Sequence, residues 1–275
     1  MSIPLSRDHW PRHARQWALV GPPLRPGAAD VQLMEAEAAA RHVATGGRSL
    51  AALILGVTPE LVTMRWPDDT RVVAVERSAD VIGAIFPATA GAEVVVADWR
   101  ALPRPDASLD LVIGDGSLSN LAFPADYRLL AAELGRVLAP GGRVALRLFA
   151  APETREPLAA VAVALASGTI GSVHALKWRI AMAIQPDDRN VAVADIGRAF
   201  DELVPDRAAL ADRRGWDPAV IATIDVYRDS TLVYSFPTQA EVGAALAPLV
   251  TVACHTPTYE LGDRCPTLVL TAASC

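Results

Sequence analysis

Between Ser49 and Phe149 the sequence repeats one pattern five times, a short apolar run followed by a stretch of helical character. The runs are LAALILG (50–56), RVVAVE (71–76), AEVVVAD (92–98), LDLVIGD (109–115) and RVALRLF (143–149). Each is apolar almost throughout, where a half-exposed strand would alternate, and this is how a strand reads when both its faces are covered. Such strands with helices between them specify a parallel sheet held between two helix layers, the doubly wound α/β arrangement. Only 14 residues separate Gly56 from Arg71, close to the shortest connection that can carry a crossover. The helix expected over 125–138 places Leu129, Leu130, Leu134, Val137 and Leu138 on one face, and APGG (139–142) stops it.

The flanks differ from this centre. Upstream, 8–18 and 28–44 read as helices joined by GPPLRPG (21–27), and Trp10 and Trp17 suit a lid packed on the mouth of the sheet. Downstream, 151–236 is expected to be mainly helical and lacks the strand rhythm. A helix over 236–250 follows, with Thr238 as N-cap and Glu241 completing a capping box. Two strands, TVACHTPTYEL and CPTLVLTA, then form an antiparallel pair around a short turn at Gly262 and Asp263. The reading is therefore one domain over 1–275: a helical lid (1–45), a Rossmann-like core (46–150 and 237–275), and a helical substrate-binding insertion (151–236).

Composition narrows the class of partner. A formal net charge of −6 and a pI near 5.4 argue against a nucleic-acid footprint, which needs clustered Lys and Arg. Residues 158–176 carry no formal charge, but their alanines, the centre SGTIGS and His174 fit a buried helix, or two helices broken at Gly168, better than a membrane span. MSIPLSRDHW holds no apolar signal core, so a cytoplasmic protein is expected. Cys254, Cys265 and Cys275 lack metal-ligand spacing, and reduced structural thiols follow. His9 and His13 have the i, i+4 spacing of a metal pair without a third ligand, so no metal is expected.

In a doubly wound sheet, ligands sit outside the carboxyl ends of the strands. Four segments meet there. Gly56 allows a sharp turn and a close approach to backbone, and Pro59 suits a first helical turn. Glu76 ends the next strand 20 residues on, where two carboxylate oxygens can accept from two ribose hydroxyls. Asp98 can accept from an exocyclic amine while Trp99 packs on a purine face. GDGSLSNL (114–121) brings Asp115 and Gly116 to the mouth.

These residues, in this order and followed by LAPGG before another strand, resemble a class I S-adenosylmethionine-dependent methyltransferase over about 46–149 and again over 237–275. The resemblance implies a seven-stranded, mostly parallel sheet of order 3-2-1-4-5-7-6 and S-adenosyl-L-methionine as cofactor. It makes Gly56 the first glycine of the cofactor loop, Glu76 the ribose-binding acid, Asp98 the adenine-side acid and LGRVLAPGG the segment leading into the fifth strand. The full cofactor set is then Leu55, Gly56, Val57, Thr58, Glu60, Glu76, Arg77, Asp98, Trp99, Asp115 and Gly116. The loop departs from the family pattern, with Ile54 at its acid and Thr58 and Glu60 at its second and third glycines. Thr58 is expected to bond the methionine carboxylate and Glu60 to receive its ammonium group.

The expected function is methyl transfer to a small-molecule acceptor by in-line displacement. Asp115 is the first candidate base, Asn120 or Ser119 would orient the acceptor, and His174 and His255 are other candidate bases. Trp178 and Met182 read as pocket lining or as core, and Arg147 and Arg25 as contacts to an anionic substrate or to a carboxylate. A small-molecule substrate is the expected partner, with no nucleic acid and no membrane, and a homodimer is left open. Two other readings share the fold. An NAD(P)-dependent oxidoreductase should show a glycine-rich diphosphate turn, and a non-catalytic nucleoside-cofactor-binding protein is favoured by Ile54, Thr58 and Glu60.

Overall fold

The computed structural model describes residues 16–87 and 91–272. His9, Trp10, His13 and Cys275 lie outside the described residues, as does most of the helix expected over 8–18, of which the 3-10 turn Trp17–Leu19 is described.

Five parallel strands come first, β1 (Ala51–Leu55), β2 (Arg71–Glu76), β3 (Ala92–Val96), β4 (Leu109–Asp115) and β5 (Leu138–Arg147). The apolar runs decide this layout, because consecutive residues of one strand feed opposite layers. On β1, Leu53 and Leu55 face one cluster with Leu130 and Leu134, while Ala52 and Ile54 face another with Met34 and Leu61. Burying both faces leaves a strand no exposed side, and Leu53, Ile54 and Leu55 are each within 1 % of fully buried. The layers are built by Ala125–Val137 and Gln239–Ala245 on one face and by Ala28–Ala44 and Pro59–Thr63 on the other.

A two-stranded sheet, β6 (Asn190–Ala192) with β7 (Val233–Ser235), lies in the insertion. β9 (Thr267–Ala272) then pairs antiparallel with β5, and β8 (Leu249–His255) pairs antiparallel with β9. The seven-stranded order is β3-β2-β1-β4-β5-β9-β8, the expected 3-2-1-4-5-7-6 once the small separate sheet is set aside.

Several boundaries differ from expectation. The helix expected over 236–250 covers only Gln239–Ala245, since Pro248 has no amide to continue it and β8 begins at Leu249. Its capping box forms, with Thr238 Oγ1 accepting from the Glu241 amide at 3.2 Å and Glu241 Oε2 accepting from the Thr238 amide at 2.7 Å. No short turn joins the last two strands. Residues 256–266 make a longer excursion that holds Tyr259 and the 3-10 turn Gly262–Arg264. APGG (139–142) does end the preceding helix, yet it lies within β5 itself.

The insertion packs its helices on a core of its own, which includes Phe149, Trp178, Phe200, Tyr227, Tyr234 and Phe236. Its uncharged stretch forms two helices, Leu158–Ala166 and Val173–Ile184, with Gly168 at φ +80° between them. Among the described residues, no helix is long and apolar enough to cross a membrane.

Candidate functional site

The carboxyl ends of β1, β2 and β4 open onto one cavity. Leu55, Gly56, Val57 and Thr58 line it from the β1 loop, Glu76 and Arg77 from β2, Trp99 from beyond β3, and Asp115, Gly116, Ser117, Ser119 and Asn120 from β4. The N-terminal segment adds Trp17 and Leu24.

Gly56 has φ +103°, a conformation other residues enter only with strain, and a Cβ placed there would stand 3.9 Å from the Trp99 ring. The Val75 carbonyl accepts from both the Gly56 amide (2.8 Å) and Trp99 Nε1 (2.6 Å), so one acceptor fixes the loop and the indole together. Glu76 Oε1 accepts from the Ser78 amide at 2.9 Å. Burial raises the Glu76 pKa above the ordinary carboxylate value, and that amide and Arg77 only partly oppose the shift.

Asp115 and Arg147 end adjacent strands, and their register sets them side by side. They form an ion pair in which the two side chains are only 4 % and 0 % exposed. Arg147 Nη1 also donates to the Pro23 carbonyl (2.9 Å) and to the Tyr259 hydroxyl (2.8 Å), and its guanidinium stands 5.1 Å over the Phe149 ring. Burial pushes the Asp115 carboxyl up while Arg147 pulls it back, and Asp115 in turn holds Arg147 firmly protonated. A guanidinium keeps its proton, and burying it without an anion is costly, so the ion pair is the state that persists.

Three expected site residues lie off the cavity wall. Glu60 is held by Arg25, which also donates to the Trp17 carbonyl and stands 5.2 Å over the Trp17 ring. Asp98 pairs with Arg100, which reaches on to Asp126, so the carboxylate is drawn toward the helix beginning at Ala125. His174 is buried, with Nε2–H donating to the Leu19 carbonyl at 3.0 Å, and burial pushes its pKa down to about 4. It thereby anchors the N-terminal segment as a neutral ring. His255 is exposed on β8, and Met182 is buried beside Arg264. Of the two arginines, Arg147 meets a buried carboxylate and Arg25 a partly exposed one. Among the described residues, no three His, Cys, Asp or Glu side chains gather as metal ligands.

Phe149, Tyr227 and Tyr234 line the cavity with Trp178, and sequence reasoning had singled out only Trp178. Gly116 carried the missing signal. At φ +60°, a Cβ there would lie 2.3 Å from the Phe149 ring, so the glycine exists to admit that ring.

Residues 54–146 match the family model for a methyltransferase domain. No curated protein matches the sequence. Among solved structures, the chain is similar to a Rhodobacter sphaeroides protein named for Zn-dependent alcohol dehydrogenases, at 11 % identity, TM-score 0.61 and coverage of 99 % of this chain and 100 % of that one. The methyltransferase CcbJ from Streptomyces caelestis aligns at 14 % identity and TM-score 0.54, covering 97 % and 98 %. PH0226 from Pyrococcus horikoshii aligns at 14 % and 0.53, covering 94 % and 99 %. Identities this low speak for shared fold alone. The matched domain and the strand order define a class I methyltransferase fold. Residues 54–146 thus carry the matched methyltransferase domain, whose kind takes S-adenosylmethionine as cofactor.

The cavity fits that cofactor. Its first loop is open above Gly56, a half-buried carboxylate stands at the end of β2, and an indole is fixed against the loop.

Proposed function

We propose that the enzyme transfers a methyl group to a small-molecule acceptor by in-line displacement. The observation that carries this reading is the Glu76 carboxylate, facing the cavity one strand away from the open backbone of Gly56. Two carboxylate oxygens match two ribose hydroxyls, and Trp99 offers a flat face for the adenine beside them. Val57 and Thr58 continue the cradle. The bound cofactor supplies a sulfonium methyl already activated toward nucleophiles.

What remains for the chain is to hold the acceptor lone pair in line and to exclude water, and orientation alone reaches effective molarities of about 10⁵ M or more. Ser119, whose hydroxyl donates to the Gly116 carbonyl at 2.7 Å, and Asn120 border the end of β4 and would orient the acceptor. Asp115 serves as the counter-ion of Arg147, and His174 as an anchor, which leaves neither as the base. A roof from the N-terminal segment and a wall from the insertion support a small acceptor over a macromolecular one, as does the net charge of −6 against nucleic acid.

Calorimetry with S-adenosylhomocysteine and with NAD tests the reading. S-adenosylhomocysteine should bind and NAD should not, and Glu76→Ala should weaken the former by about tenfold or more, the size of a lost hydrogen bond to a charged group. NAD binding without S-adenosylhomocysteine binding would overturn it.

A further inference from the structure

The cavity wall contributed by the end of β5 and by the insertion is aromatic. Phe149 packs against Gly116. Trp178 stands edge-on to Phe149 at 5.0 Å, Tyr234 edge-on to Trp178 at 5.8 Å, and Tyr227 edge-on to Tyr234 at 6.3 Å. Phe236 backs Trp178 at 5.1 Å. Trp17 lines the same cavity from the N-terminal segment. Aromatic residues are only 5 % of this chain, and these rings serve both the insertion's core and the cavity wall.

The charges are as informative. Among the described lining residues Arg77 is the one cation, and it follows Glu76 at the end of β2. Asp115 is neutralised by Arg147. A phosphorylated or polycarboxylate acceptor would lack cations to replace its water. A cationic acceptor would meet the positive sulfonium in a desolvated space, where like charges repel most strongly. Flat, weakly charged rings are what such a wall receives well, because edge-to-face and offset stacking add to simple burial.

We propose that the acceptor is a planar aromatic small molecule, lodged against the Phe149, Trp178 and Tyr234 rings, with its nucleophilic oxygen or nitrogen turned toward Gly116 and Asn120. This rests on the reading that the cavity takes S-adenosylmethionine. In the transfer, the acceptor lone pair forms the new bond to the methyl carbon as the carbon–sulfur bond breaks. That electron pair stays on sulfur, giving the neutral thioether, and a phenol leaves its proton in bulk solvent by entering as the phenolate.

The test is calorimetry on protein saturated with S-adenosylhomocysteine, using 1-naphthol, 8-hydroxyquinoline, decahydro-1-naphthol and choline as probes. The two aromatic probes should bind about tenfold tighter than the saturated alcohol and choline, in line with the stacking contribution of several rings. Trp178→Leu should remove that preference, and Trp17→Leu, at a partly exposed position, should reduce it. Each variant's isotherm with S-adenosylhomocysteine reports that it has folded. Equal binding of the saturated alcohol, tighter binding of choline, or no probe binding while S-adenosylhomocysteine is held would overturn the proposal alone. Failure of S-adenosylhomocysteine itself to bind would overturn the cofactor reading, and the proposal with it.

Discussion

Asp115 lines the cavity and Arg147 ends the adjacent strand, and the two charges are spent on each other. The pair is buried at the ends of β4 and β5, and removing one partner strands the other as an unmatched charge. Asp115→Ala should therefore cost about 3–5 kcal/mol in urea-induced unfolding, well beyond an ordinary surface change. Adding Arg147→Met to that variant should recover much of the loss, because it removes the orphaned guanidinium. A double variant no more stable than the single one would show that the pair's energy is not electrostatic. The pairing was latent in the sequence, since an acid and an arginine end two strands that β-sheet register sets side by side. The sequence leaves Arg147 between an anionic substrate and a carboxylate, because spacing alone does not name its strand neighbour.

At the scale of elements, the helix Val173–Ile184 carries an ionisable group that the proposed chemistry does not use. Lys177 is 1 % exposed, with Nζ donating to Thr223 Oγ1 and standing 5.5 Å over the Tyr227 ring. Asp225 favours its charge, while Arg207 and the burial itself oppose it, and His174 lies one turn earlier. Burial holds the Lys177 pKa down to about 7, against 10.5 for the free side chain. Below pH 7 the folded protein carries a buried ammonium at full penalty. Between pH 7 and 10.5 the unfolded chain binds a proton that the folded one has released, so stability rises with pH. Lys177→Met should thus raise stability most below pH 7, on the order of 5 kcal/mol, with the gain fading toward pH 10.5. Thermal melts at pH 6 and pH 9 check it, and an equal gain at both pH values would refute it.

The same scale shows what a sequence discloses. Strands buried on both faces announce themselves as apolar runs, so the five parallel strands were legible, while their order followed from the family resemblance. β6 and β7 have three residues each, too few for any period to show, and they were missed. The end of the helix beginning at Gln239 was overrun because residues 246–250 are apolar in either conformation. At the site, the placement of Glu76 and Gly56 on the cavity wall was legible from spacing. Asp98 and Glu60 were expected at the cavity but are held away by Arg100 and Arg25, arginines whose reach no spacing rule encodes. The aromatic wall assembles from positions 149, 178, 227 and 234, which become neighbours only in the fold.

For the molecule as a whole, the N-terminal segment is fastened at three places, Leu19 to His174, Pro23 to Arg147 and Arg25 to Glu60. The third is partly exposed, with side chains 30 % and 19 % accessible, so its contribution is modest. Arg25→Ala should speed amide hydrogen exchange around 16–27 about fivefold while leaving the melting temperature within a degree or two, as expected of a local opening. Exchange that stays unchanged would mean that the other two ties suffice.

Arg147 donates to Tyr259, and β5 gains its outer neighbour only when β9 pairs along it. On a ribosome, the chain that has reached the insertion still has β5 as an unfinished edge. The Arg147–Tyr259 bond and the β5–β9 pairing therefore form only after residues 259–272 emerge, later than every residue of the cofactor loop.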